Sequence, residues 1–249
     1  MYVHKSISIE QYKLINNKTR QHRTNLLARK ENKIMATKKT EEKIVVLDPI
    51  KVQYAEVFIE GDGDIVLNKM NARNERSLND RDNKKVREVP NMWEDLTTAI
   101  HWKDNIGIED TYNDCTEDTF NELLLKNSPC ITAFGLKKSF GQAVVRNGID
   151  TYATKFDNAL NIVADKGLIP LTFTEWSCDE KLMSPKTGKP VKVWLNHFSG
   201  WKASFKIAYT ENIYNLNSIV NIINLAGFGL GIGSGRTSGY GRYHVTCVQ

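Results

Sequence analysis

Cysteine is scarce in this chain: there are four, Cys115, Cys130, Cys178 and Cys247, far apart and without a C-x-x-C pair. That spacing argues against a disulfide framework or a zinc ribbon and points to buried thiols in a reducing compartment. No run of 18 apolar residues occurs, so a helical membrane span is excluded. The first residues lack the apolar segment of a secretion signal, and the expected location is cytoplasmic. Nucleotide-phosphate motifs are missing as well, with neither G-x-G-x-x-G nor Gly-Lys-Ser/Thr. There is no His/Cys ligand spacing, no nucleophile elbow and no internal repeat. No cofactor or metal is expected.

Basic charge is also missing from the body of the chain. The net charge of +5 is misleading, because residues 1–34 hold eight Lys/Arg against two acids and leave residues 35–249 at −1. "MATKKTEEK" at Met35 reads as an ordinary protein start, so the stretch before it is an upstream extension of the reading frame or a nucleic-acid-binding arm. Residues 1–42 are accordingly expected to be a basic, disordered extension and residues 43–249 the folded domain. Any nucleic-acid site in that domain has to be a local patch.

What is present is enough apolar residue, 41% of 249, for a substantial core. "VQYAEVFIEG" alternates with apolar groups on both faces and reads as a buried strand; a Gly-Asp-Gly-Asp turn and the short strand "IVLNKM" follow. Residues 71–128 form an insertion of charged loop and helices: nearly all of 71–88 is polar, then "PNMWEDLTTAIHW" and "TEDTFNELLLKN" read as helices, the latter capped by Thr116. "ITAFGLKKSFGQAVVRNG" is a further helix. "GLIPLTFTEWSC" and "KPVKVWLNHF" are strands flanking a basic hairpin at 179–192, and "WKASFKIAYTEN" is the strand before the last helix. The alternation predicts an α+β fold.

Glycine is concentrated at one place. "GFGLGIGSGRTSGYGRY" holds seven of the sixteen glycines, every one at an odd position. Before it, Leu216, Ile219, Val220, Ile223 and Ala226 keep helical spacing, with Asn215 or Asn217 as N-cap and Gly227 as C-cap. After it, Tyr240, Arg242, His244 and Thr246 alternate with Gly241, Tyr243, Val245 and Cys247 as a strand. The order is helix, glycine loop, strand, the reverse of a phosphate loop.

Gly229-Leu230-Gly231-Ile232-Gly233, then the polar stretch 234–238, then Gly239-Tyr240-Gly241-Arg242 resemble the C-terminal signature of the RAMP superfamily of CRISPR effector proteins, over residues 201–245. The resemblance implies a ferredoxin-like, RRM-like antiparallel sheet with helices on one face and an inserted hairpin. With it goes the expectation of a protein that binds single-stranded RNA, ahead of DNA; the missing catalytic motifs predict that it does not cleave the strand, and the long charged loop and projecting hairpin predict assembly side by side along it or with other subunits of a ribonucleoprotein. "IEGDGDIVLNKMN" resembles small phage or mobile-element proteins. Two alternatives stand beside this reading: an endoribonuclease using a histidine as general base, and a phage structural or inhibitory protein acting through protein contacts.

The candidate binding residues are Gly229, Gly231, Gly233, Gly235, Arg236, Gly239, Tyr240 and Arg242 on the loop, with Lys137, Lys138 and Arg146 on the helix before residue 148 and Lys186 and Lys189 in the hairpin. Arginines contact phosphate while glycine amides approach the backbone; tyrosines stack on bases. Arg242 has a plain alternative as a surface ion pair, Tyr240 and Tyr243 as core residues, and the lysines as a solvated helix face and a soluble loop. His101 and His197 are the candidate general bases, with His244 behind them, although a lone histidine is most often structural. Asp62 and Asp64 carry a metal-ligand option, but Gly-Asp-Gly-Asp is first a turn.

Overall fold

The computed structural model describes residues 50–79, 89–104, 115–183 and 191–249, together with Gln21. The chain divides into Met1–Pro49 and Ile50–Gln249; the basic extension expected over 1–42, and Arg81, Lys84, Lys85, Arg87, Lys186 and Lys189, lie outside the described residues.

The second unit is built on a ferredoxin-like frame. Strand β1 (Val52–Gly61) sits between β9 (Lys202–Thr210) and β10 (Tyr243–Val248), both antiparallel to it, and β9 also pairs with β5 (Leu160–Val163) and β6 (Leu168–Thr172). With helix α4 (Ala133–Arg146) and the short α5 (Thr154–Ala159) between β1 and β5, and helix α6 (Leu216–Gly229) between β9 and β10, the spatial order β10-β1-β9-β5 is that of a split βαββαβ unit. The sheet continues from β6 to β4 (Pro129–Thr132) and the two-residue β3 (His101–Trp102).

Alternation fixes which face is covered. Ala55, Val57 and Ile59 of β1 and Phe205, Ile207 and Tyr209 of β9 are buried, with Phe140 of α4 6.2 Å from Phe205 between ring centroids. Burial of such side chains contributes roughly 1.5–3 kcal/mol each. Lys202, Ser204 and Lys206 on the opposite face are exposed. The expected sheet with helices on one face is therefore what the chain forms. Strand β1 is not buried on both faces as its composition suggests: Glu56, Phe58 and Glu60 are only half-buried because no helix covers them.

Between β1 and α4 the chain inserts β2 (Ile65–Leu67), α1 (Ala72–Asn79), α2 (Met92–Thr98), β3, α3 (Glu117–Lys126) and β4. Thr116 caps α3 as its sequence predicts, in a reciprocal capping box with Thr119. Strand β2 joins a second, three-stranded sheet with β8 (Val191–Ser199) and β7 (Glu175–Met183), the inserted hairpin. An aromatic cluster seats the insertion on that hairpin: Phe120 lies 4.8 Å from Trp176 and 5.8 Å from Trp93. Of the four cysteines only Cys130 is buried, and all four are free thiols, so buried thiols describe just one of them.

Candidate functional site

The glycine loop begins later than its sequence suggests. Helix α6, capped by Asn215, runs through Gly227 to Gly229. Gly227 is instead a contact point, since a Cβ there would lie 2.0 Å from the carbonyl oxygen of Tyr243. Strand β10 likewise starts at Tyr243, so Tyr240 and Arg242 precede it. Tyr243 is fully buried and edge-on to Trp201, a core residue.

The loop folds onto itself and onto β2. Ile232 N–H donates to the Gly241 carbonyl, Gly241 N–H to that of Asp64 and Ser234 N–H to that of Val66, at 2.8–2.9 Å. Gly231, Gly233, Gly235, Gly239 and Gly241 all have positive φ. A Cβ on Gly231 or Gly233 would fall 2.6–2.7 Å from a main-chain oxygen, and one on Gly235 2.8 Å from the Tyr240 ring. Around Gly229 and Gly239 there is open space. Most of the glycines thus serve close backbone packing.

Arg242 is committed within the loop. Its guanidinium donates to the carbonyls of Phe228 at 2.8 Å and Arg236 at 3.4 Å, which ties the end of α6 to the turn 236–238. These bonds use two of its five N–H groups. Tyr240 packs against His197, 5.0 Å between ring centroids, with Lys181 Nζ 5.3 Å from its ring.

Arg236 reaches a different place. A cavity of about 330 Å³ opens between the loop, the end of β2 and the start of α4, and Lys69, Lys138 and Arg236 all line it, with no carboxylate among the described lining residues. Thr132, the N-cap of α4, and Gly135 form part of the wall, and Thr132 Oγ1 accepts from Gly135 N–H. The remaining first-turn amides of this 14-residue helix have no partner within it, and its dipole adds positive potential at the same end. Gln142 and Ser234 supply polar groups that are not charged.

His101 also lines the cavity. Burial, and then the nearby Lys69 ammonium, lower its pKa below the usual histidine value. The sign is that of a group neutral in the fold: it withdraws stability as pH falls below the ordinary value of about 6.5. Burial pushes the Cys130 thiol in the same wall up to about 11, which leaves it protonated and unreactive.

Of the residues predicted from sequence, the cavity collects Arg236, Gly233, Lys138 and His101. Lys137 is half-buried and not part of its lining, and Arg146 stands in the last turn of α4, the end away from it. His197 is not brought to His101; it is buried in β8 with Asp64 3.8 Å and Asp179 3.5 Å away. His244 pairs with Asp62 at 2.6 Å, and Asp64 accepts from Ser199 Oγ, so the two aspartates serve the turn and its neighbours. On the hairpin, Lys192 pairs with Glu180. Sequence reasoning missed Lys69, Gln142 and the exposed Phe134; none sits in a motif. Among the described residues no cluster of three His, Cys, Asp or Glu is arranged to hold a metal ion, and no helix is long and apolar enough to cross a membrane.

No protein-family model and no curated protein matches the sequence. Solved structures similar to it include the cryo-EM structure of the Type III-B Cmr-beta bound to cognate target RNA, with 12% identity and a TM-score of 0.45 over 100% of this chain and 78% of that one. They also include the crystal structure of Cmr6 from Pyrococcus furiosus, with 10% identity and a TM-score of 0.36 over 80% of this chain and 100% of that one.

Proposed function

We propose that this chain is a RAMP-type protein that binds single-stranded RNA, without cleaving it, by seating the sugar–phosphate backbone in the cavity between the glycine loop and α4. One observation carries the reading. Three cations from distant parts of the chain, Lys69, Lys138 and Arg236, line a single cavity that receives the amino end of α4 and has no carboxylate among the described residues of its lining. Cations facing one another across a cavity repel, an anion between them removes that repulsion, and a helix start is an established anion seat. The ferredoxin-like strand order and the glycine loop before the last strand agree with the same family. Assembly side by side along the strand, as in a CRISPR-like ribonucleoprotein, belongs to this reading.

The test is anisotropy of a labelled single-stranded RNA oligomer with the full chain, wild type and Lys138→Ala/Arg236→Ala, across a salt series. Each phosphate contact in a single strand contributes about 0.7 to the slope of log K against log salt. The double variant is expected to lose about 1.4 of that slope and to bind roughly 10- to 100-fold more weakly at low salt. The cations of residues 1–34 are the same in both proteins and cancel. An unchanged slope would remove the cavity from the binding surface and favour a protein partner.

His101 supports a second reading. An imidazole held neutral among three cations is suited to take a proton from a ribose 2′-hydroxyl beside a phosphate. Incubation of the same RNA without metal separates the readings: intact RNA is expected, whereas a discrete cut that His101→Ala abolishes would make the protein an endoribonuclease.

A further inference from the structure

Phe134 is 77% exposed in the first turn of α4, where a solvent-facing phenylalanine contributes nothing to the core. Isolated exposed apolar residues are common and carry no meaning alone. This one has a specific neighbour: Lys138 Nζ lies 5.9 Å from the centroid of its ring, and Lys138 lines the cationic cavity. Gln142, one further turn along, lines it too. Residues four apart follow one another along a helix surface, so ring, ammonium and amide form a single stripe that enters the cavity.

We propose that Phe134 is a stacking platform for the unpaired base next to the phosphate held by Lys138 and Arg236, so that the ligand is recognised as single-stranded. The inference rests on the phosphate-binding reading above. A base and its own phosphate are separated by only a ribose, and the ring and the ammonium are spaced to meet both at once. A duplex would keep its bases stacked inside and leave the ring without a partner. Every base has a π face, so the contact selects strandedness over sequence. Gln142 lies within the same stripe to hydrogen-bond to the base edge or ribose.

The experiment uses the full chain and a 12-mer of uridine carrying one 2-aminopurine, moved position by position, with Phe134→Ala and Phe134→Tyr compared to wild type. Stacking quenches the probe. Expected is quenching at one or two positions for wild type and Phe134→Tyr, lost in Phe134→Ala together with about tenfold in affinity, at an unchanged salt slope. Salt-sensitive wild-type binding with Phe134→Ala indistinguishable in affinity and quenching overturns the platform and leaves the phosphate site standing. Absence of salt-sensitive wild-type binding overturns both. Full rescue by Phe134→Leu would show a plain apolar contact, as for a protein partner, and overturns stacking.

Discussion

Gly241→Ala is expected to abolish the native fold at 37 °C. A Cβ at this position lands 1.8 Å from the carbonyl oxygen of Ile232, and the residue holds φ of +68°. The left-handed conformation alone costs a residue with a Cβ about 1–2 kcal/mol. The clash adds to that, because the obstructing atom belongs to the main chain and its residue's own N–H is bonded to Gly241. Moving it breaks the bond that closes the loop. The total is on the order of 4 kcal/mol or more, a large part of the 5–15 kcal/mol that stabilises an ordinary domain. Two neighbours calibrate the argument. Gly239 also has positive φ but faces open space, so Gly239→Ala is expected to cost only about 1–2 kcal/mol. Gly229 ends a helix with nothing near it, and Gly229→Ala is expected to stabilise by about 0.5 kcal/mol. Thermal unfolding of the three variants reads the order directly; equal effects at 229 and 241 would refute the packing account of the loop.

Asp95→Ala is expected to cost about 3–5 kcal/mol. Asp95 and Arg73 are both buried, and the guanidinium meets the carboxylate with two nitrogens, Nε at 3.0 Å and Nη2 at 2.5 Å. Truncating the acid removes the carboxylate that these two nitrogens share, so the desolvation of the buried guanidinium is less well offset. Replacing both residues, as Arg73→Met/Asp95→Leu, is expected to recover part of the loss, since the buried guanidinium then goes together with its carboxylate. Urea midpoints at constant m-value provide the measurement, and a double variant as unstable as the single one would show that the helices need the charges themselves. Helix α1 starts close behind Lys69, whose N–H donates to the Ala99 carbonyl at 2.8 Å. The single variant is therefore expected to weaken RNA binding as well.

Local patterns carried the elements and little of the site. The helical spacing of Leu216 to Ala226 and the alternation in β9 and β10 are periodic signals, readable because each residue reports its own exposure. The end of α6 was not readable: Gly227 resembles a cap, but its missing Cβ answers to Tyr243, a contact made only in three dimensions. The first half of the ferredoxin frame was hidden by the segments inserted between β1 and α4, which separate a strand from its helix far beyond any window of periodicity. In the cavity, Lys138 and Arg236 each stood out as cations near informative segments. Their meeting depends on how α4 packs against the end of α6, and no spacing encodes it. Lys69 carries no sequence signal, because its role comes from the bend after β2.

The place of β1 in the sheet has a kinetic consequence. Both of its partners, β9 and β10, are synthesised about 140 or more residues after it. At ribosomal speeds of about 5–20 residues per second, β1 waits roughly seven to thirty seconds with both edges open. Its sequence, VQYAEVFIEG, is rich in β-forming residues and suited to pairing with other chains in that interval. Folding of this topology is governed by contacts distant in sequence and is correspondingly slow. Until residues 202–248 emerge, β1 is thus the segment of the frame most open to pairing with another chain.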